Sequence, residues 1–124
     1  MPPMACRFTE LIIDCQDPRR VADFWADVLD YYETEDSEPD CIEMRGPDGG
    51  GPGLLFLRVP EPKTVKNRLH IDLNATDREQ QAEVERLLAL GARHADVGQG
   101  EQTWVVLADP EGNEFCVLRG RVSP

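Results

Sequence analysis

The sequence is poor in the features that advertise the commoner function classes. Lys and Arg number 13 against 24 Asp and Glu, giving a net charge of -11 and a pI near 4.5. A surface of that sign repels phosphate backbones and anionic lipid, which are gripped by clustered cations. Nucleic acid and membrane are therefore not expected as partners. No apolar run approaches the roughly 20 residues that span a bilayer. The first residues, Met1 to Cys6, lack a basic stretch leading into an apolar one, so a cytoplasmic protein is expected. The four cysteines, Cys6, Cys15, Cys41 and Cys116, form no CxxC pair and no zinc-finger spacing, and are read as reduced thiols. The glycine-rich stretch GPDGGGPG has no following GK[ST] and no helix to receive a phosphate, so it is a turn. There is no GxSxG elbow and no HExxH pair, which removes the support those motifs give to hydrolase readings.

What is present is periodicity. FTELIIDC, residues 8–15, alternates like a strand, and Asp17-Pro18 then opens a helix carrying Val21, Phe24, Trp25, Val28 and Leu29 at helical spacing. Residues 31–35, 41–45 and 53–59 read as three further strands. The second half repeats the order. Residues 68–75 are a strand, Asp77 is the expected cap of a helix with the apolar stripe Ala82, Val84, Leu87, Leu88 and Leu90, and Gly91 stops it. Residues 92–97, 103–108 and 114–119 supply three more strands. An offset of 60 sets Asp17 beside Asp77, Glu10 beside His70 and Phe56 beside Cys116. The expected fold class is α+β: one domain over residues 1–124, made of two tandem βαβββ modules at about 7–60 and 67–120. The modules are expected to form a curved mixed sheet around a cleft, with helices on the outer face.

Strand alternation then sorts the side chains. Leu11, Ile13, Leu55, Leu57, Ile71, Leu73, Phe115 and Val117 are assigned to the helix-covered faces. Glu10, Ile12, Phe56, Arg58, His70, Asp72, Glu114 and Cys116 fall on the opposite side, with Trp104 and Val106 joining them if their strand keeps step. Trp25, Tyr31 and Tyr32 are read as packing residues, His94 as a solvated surface residue, and Lys63 and Lys66 as solvation of the connection between modules.

The stretches LIIDCQDPRRVADFWADVLDY, NRLHIDL and DPEGNEFCVL resemble the vicinal oxygen chelate superfamily, specifically its glyoxalase-like domains, over nearly the whole chain. That superfamily takes in glyoxalase I, extradiol dioxygenases, methylmalonyl-CoA epimerase, fosfomycin-resistance enzymes and the bleomycin-resistance binding proteins. The resemblance implies a small-molecule ligand, a homodimer, and a reaction of the lyase, isomerase or dioxygenase kind. It also implies metal ligands on the first and last strands of each module, which here are Glu10, Phe56, His70 and Cys116. Phe56 cannot coordinate a metal, and Cys116 stands where the metal enzymes usually carry a carboxylate.

Two readings follow. In one, Glu10, His70 and either Cys116 or Glu114 hold Zn²⁺, Fe²⁺, Ni²⁺ or Mn²⁺ and polarise a substrate oxygen. In the other, Glu10 and His70 pair in a metal-free pocket walled by Phe56 and Trp104, with Arg58, Asp72 and Cys116 contacting the ligand. There His70 still serves as a general acid or base with Glu10 beside it. The corresponding functions are an enzyme acting on an oxygenated metabolite and a ligand-sequestering protein of the bleomycin-resistance type.

Overall fold

The structure, a computed structural model, describes residues 5–124; the leader reading of the first residues falls partly outside them. The chain divides into two compact units, Met1–Pro60 and Glu61–Pro124. Each has the order strand, helix, three strands.

In the first unit, β1 (Glu10–Cys15) leads to α1 (Pro18–Leu29), then β2 (Tyr32–Glu33), β3 (Cys41–Arg45) and β4 (Gly53–Arg58), in the sheet order β1-β4-β3-β2. β1 and β4 run parallel, and the other pairs are antiparallel. The Asp17 carboxylate accepts the Arg20 N–H at 3.3 Å, and Pro18 occupies the first turn, so α1 begins where the sequence says it should. Asp30 closes the helix in the left-handed conformation at φ 57°. Val21, Ala22, Phe24 and Trp25 are buried, with Phe24 and Trp25 meeting edge to face at 5.4 Å. α1 packs on β3 and β4, whose buried residues Ile42, Met44, Leu54 and Phe56 stand opposite one another in register.

The second unit repeats the arrangement with β5 (Asp72–Ala75), α2 (Gln80–Leu90), β6 (Arg93–His94), β7 (Val105–Ala108) and β8 (Glu114–Arg121), ordered β5-β8-β7-β6. Val84 and Leu87 carry the buried face of α2, which packs on β8 and β5, where Phe115 and Val117 are buried. Gly91 ends α2 at φ 123°, where its N–H reaches the carbonyls of Leu87 and Leu88.

Two expectations are corrected. Asp77 does not cap α2: its carboxylate holds the neighbouring Arg78 guanidinium at 2.7 and 3.0 Å, and the helix starts later, after Glu79, with no side-chain cap. The second correction concerns register. Ile13 pairs with Phe56, and Leu73 pairs with Val117. Phe56 is therefore the counterpart of Val117, and Leu55 that of Cys116. Leu54 lies seven positions after Pro47, but its counterpart Phe115 lies only five after Pro110, so the glycine-rich turn inserts two residues and the offset at β4 is 61 rather than 60. A slip of one residue moves a whole strand's side chains to the other face. Phe56 is consequently fully buried on the helix side, while Leu57, assigned to the core, is exposed.

Candidate functional site

Within the second unit the register fixes which side chains share the face away from α2. Asp72 pairs with Cys116, and Cys116 with Val106, so these three point the same way, joined by Glu114 and Leu118 two positions to either side along β8. His70, two residues ahead of β5, and Trp104, just before β7, extend the same alternation. Together they line a pocket of about 450 Å³. Its floor and walls are apolar: Val97, Trp104, Val106 and Leu118. Its polar groups are Lys66, Asn67, His70, Asp72, Gln99, Glu114 and Cys116. A largely apolar pocket with a few convergent polar groups is the usual form of a small-molecule site.

Asp72 is the hub of the polar cluster. Its Oδ1 lies 3.2 Å from His70 Nε2, and its carboxylate also lies close to the Cys116 thiol. One nitrogen, one carboxylate oxygen and the Cys116 sulfur all lie within 4.8 Å of one another. His70 and Asp72 are half exposed, whereas Cys116 is buried. Burial pushes the Cys116 thiol above its ordinary value of 9.0; the Asp72 carboxylate adds to the rise and Lys66 opposes it. Cys116 is thus a neutral thiol at physiological pH, not a primed nucleophile.

Glu114 has a different task. Its Oε1 accepts from Lys63 Nζ at 2.8 Å and from the Asn67 backbone N–H at 3.1 Å. Burial alone would raise its pKa, but those two donors outweigh burial and hold it below the ordinary 4.5. The carboxylate expected as a substitute metal ligand is committed to tying residues 63–67 to the start of β8.

The first unit places its predicted site residues differently. Glu10 accepts from Arg45 Nη2 at 3.4 Å. Arg58, expected to contact the ligand, instead donates to Asp40 Oδ1 and to the Gln16 carbonyl, each at 2.6 Å. Phe56 is removed from any ligand wall by its burial. Lys63 and Lys66, read from the sequence as mere solvation, belong to the pocket and its support. Alternation does not single out Lys66: counting back in twos from Asp72 passes His70 and Arg68 before reaching it, in a stretch that lies ahead of β5. Gln99 and Val97 sit in an irregular loop, where no alternation could mark them.

Three comparisons bear on this arrangement. The model of the glyoxalase-like domain family matches residues 10–118, and the chain belongs to that family, within the vicinal oxygen chelate superfamily. Among solved structures, a glyoxalase/bleomycin resistance protein/dioxygenase family enzyme from Burkholderia phytofirmans superposes with a TM-score of 0.71 at 18% identity, covering 90% of this chain and 97% of that one. The fosfomycin resistance protein FosX from Listeria monocytogenes, solved as a mutant with Mn(II) and 1S,2S-dihydroxypropylphosphonic acid, superposes at 0.70 with 16% identity, covering 96% and 94%. A glyoxalase-related enzyme from Fulvimarina pelagi gives 0.64 at 17% identity, covering 90% and 86%. At these identities the likeness speaks for the fold alone. No curated protein sequence matches the chain.

Proposed function

We propose that the chain is a glyoxalase-like small-molecule enzyme whose working site is the second module's pocket, with His70 as its acid-base group. The observation carrying this reading is the convergence of His70, Asp72 and Cys116 at the edge of an apolar pocket of about 450 Å³. A volume of that size takes a metabolite of modest mass. The Asp72 carboxylate engages one imidazole nitrogen and leaves the other to take or give a proton. Lys66 supplies a cation to the pocket, and Trp104 an apolar wall. Substrates with an oxyanion beside an apolar body suit that lining best.

The same three side chains are donors of the kinds a divalent cation takes, a nitrogen, a carboxylate oxygen and a thiolate sulfur, and their spacing fits one ion. His70, Asp72 and Cys116 would hold it, His70 then serving as a ligand rather than as the acid-base group. When bound, it would act as a Lewis acid toward a substrate oxygen. The set expected from the sequence, Glu10, His70 and either Cys116 or Glu114, shares His70 with this one and differs in not taking Asp72 as a carboxylate.

A thermal-shift screen of small hydroxy acids, keto acids, diols and phosphonates tests the site. At least one hit is expected, with affinity falling about tenfold, or about 1.4 kcal/mol, in His70→Ala. The substitution removes a half-exposed ring and should fold normally. Hits that bind His70→Ala as tightly as wild type, or no hit at all, would overturn the assignment. Conversion of a hit on incubation supports the enzyme; a hit sequestered unchanged, with no compound in the set turned over, supports the binding-protein alternative.

A further inference from the structure

We infer that Cys116 makes the second module's cluster selective for a thiophilic divalent cation, zinc rather than manganese, with Asp72 as the carboxylate ligand. The inference rests on the pocket assignment above and concerns the ion it takes. Zinc bonds of about 2.0–2.2 Å to nitrogen and oxygen and about 2.3 Å to sulfur imply ligand-to-ligand separations of about 3.4–3.8 Å in a tetrahedron. The donor atoms of His70, Asp72 and Cys116 already lie within 4.8 Å of one another, and His70 Nε2 stands 3.2 Å from Asp72 Oδ1. A rotation of two half-exposed side chains closes the remainder. Cys116 need not move: β8 is hydrogen-bonded to β5 on one side and β7 on the other, and the Cys116 N–H donates to the Ile71 carbonyl at 2.9 Å. Three protein ligands would be the complement of a catalytic rather than a structural zinc site.

The choice of ion follows from the sulfur. A hard cation such as Mn²⁺ prefers carboxylate, carbonyl and water, and lies at the weak end of the divalent series, while a thiolate favours zinc. Binding releases the thiol proton to solvent as the Zn–S bond forms, so no oxidant or reductant is required. Glu114, which lines the same pocket and would harden the set, is held by Lys63 and Asn67.

The test uses the full chain stripped of metal, with Zn²⁺, Mn²⁺ and Co²⁺ as the probes and calorimetry and absorbance as the readouts. One equivalent of Zn²⁺ should bind at least about 100-fold more tightly than Mn²⁺. Co²⁺ should develop the near-ultraviolet thiolate charge-transfer band. Cys116→Asp should lose that band and narrow the Zn²⁺/Mn²⁺ ratio by about tenfold or more, and Asp72→Asn should weaken Zn²⁺ by about tenfold. Because Cys116 is buried, Cys116→Ser serves as the near-isosteric control, and in wild type Zn²⁺ should shield Cys116 from alkylation without any substitution. An unchanged ratio in Cys116→Asp, a thiolate band that persists in Cys116→Ser, Mn²⁺ preferred by wild type, or alkylation unaffected by Zn²⁺ would each overturn the inference. The small-molecule screen on metal-free protein separates the two readings: His70-dependent ligand binding without zinc selectivity sinks only the ion assignment.

Discussion

Replacing Phe56 with alanine distinguishes a core residue from a ligand wall, and the structure sets the size of the effect. The ring is 0% exposed, stands between Ile13 and Ile42 in register, and lies in a sheet covered by α1. Truncating a fully buried Phe costs about 3–5 kcal/mol, through lost burial and the cavity left behind. Small domains hold only about 5–15 kcal/mol in total, so the midpoint of urea unfolding should fall by about a fifth or more. Leu57, one residue on, is 37% exposed, and Leu57→Ala should cost about 1 kcal/mol. Urea unfolding of both variants, followed by circular dichroism with a shared slope, measures the contrast. A Phe56→Ala cost below about 1 kcal/mol, or a larger cost at Leu57, would refute the register and the face assignment that follows from it.

The cap asymmetry gives a second contrast: Asp17→Ala should cost about 1 kcal/mol, whereas Asp77→Ala should leave the unfolding midpoint essentially unchanged. Glu114 gives a pH dependence. Its folded-state carboxyl titrates below the ordinary 4.5, so its contribution is fully present above that value and is lost as pH falls through the folded-state pKa. The stability difference between wild type and Glu114→Gln should be flat from pH 6 to 8 and shrink on acidification below about 4.5; a difference that grows in acid would contradict the Lys63 pairing. Cys116 should react with iodoacetamide far more slowly than the exposed Cys6 at neutral pH, and Asp72→Asn, which removes a charge that raises the thiol, should speed it. Equal rates at the two cysteines, read by peptide mass spectrometry, would show that Cys116 is not the shielded thiol described.

The duplicated fold was legible because each module carries its own signals: the Asp17-Pro18 helix start, the Gly91 stop and strands of alternating polarity. In the second module the alternation also placed Asp72, Glu114, Cys116, Val106 and Trp104 on one face, since no insertion intervenes between β7 and β8 to disturb the count. The first module failed at β4, where a turn of glycine and proline can absorb two residues or three with no mark in the pattern, and a single residue decides whether Phe56 or Leu55 faces outward. Polar partners were harder still. Asp77 reads as a cap from its position alone, and only the geometry shows that Arg78 occupies its carboxylate. Lys63 reads as a surface cation until the fold brings Glu114 within 2.8 Å of it.

Backbone amide and tryptophan indole NMR spectra of the full chain, titrated with hits from the small-molecule screen, test the central claim most directly. The account predicts that the largest shift changes fall on Lys66, Asn67, His70, Gln99 and the Trp104 indole, and vanish in His70→Ala. Changes confined to residues 10–58, or changes at Trp104 that survive the loss of His70, would contradict it.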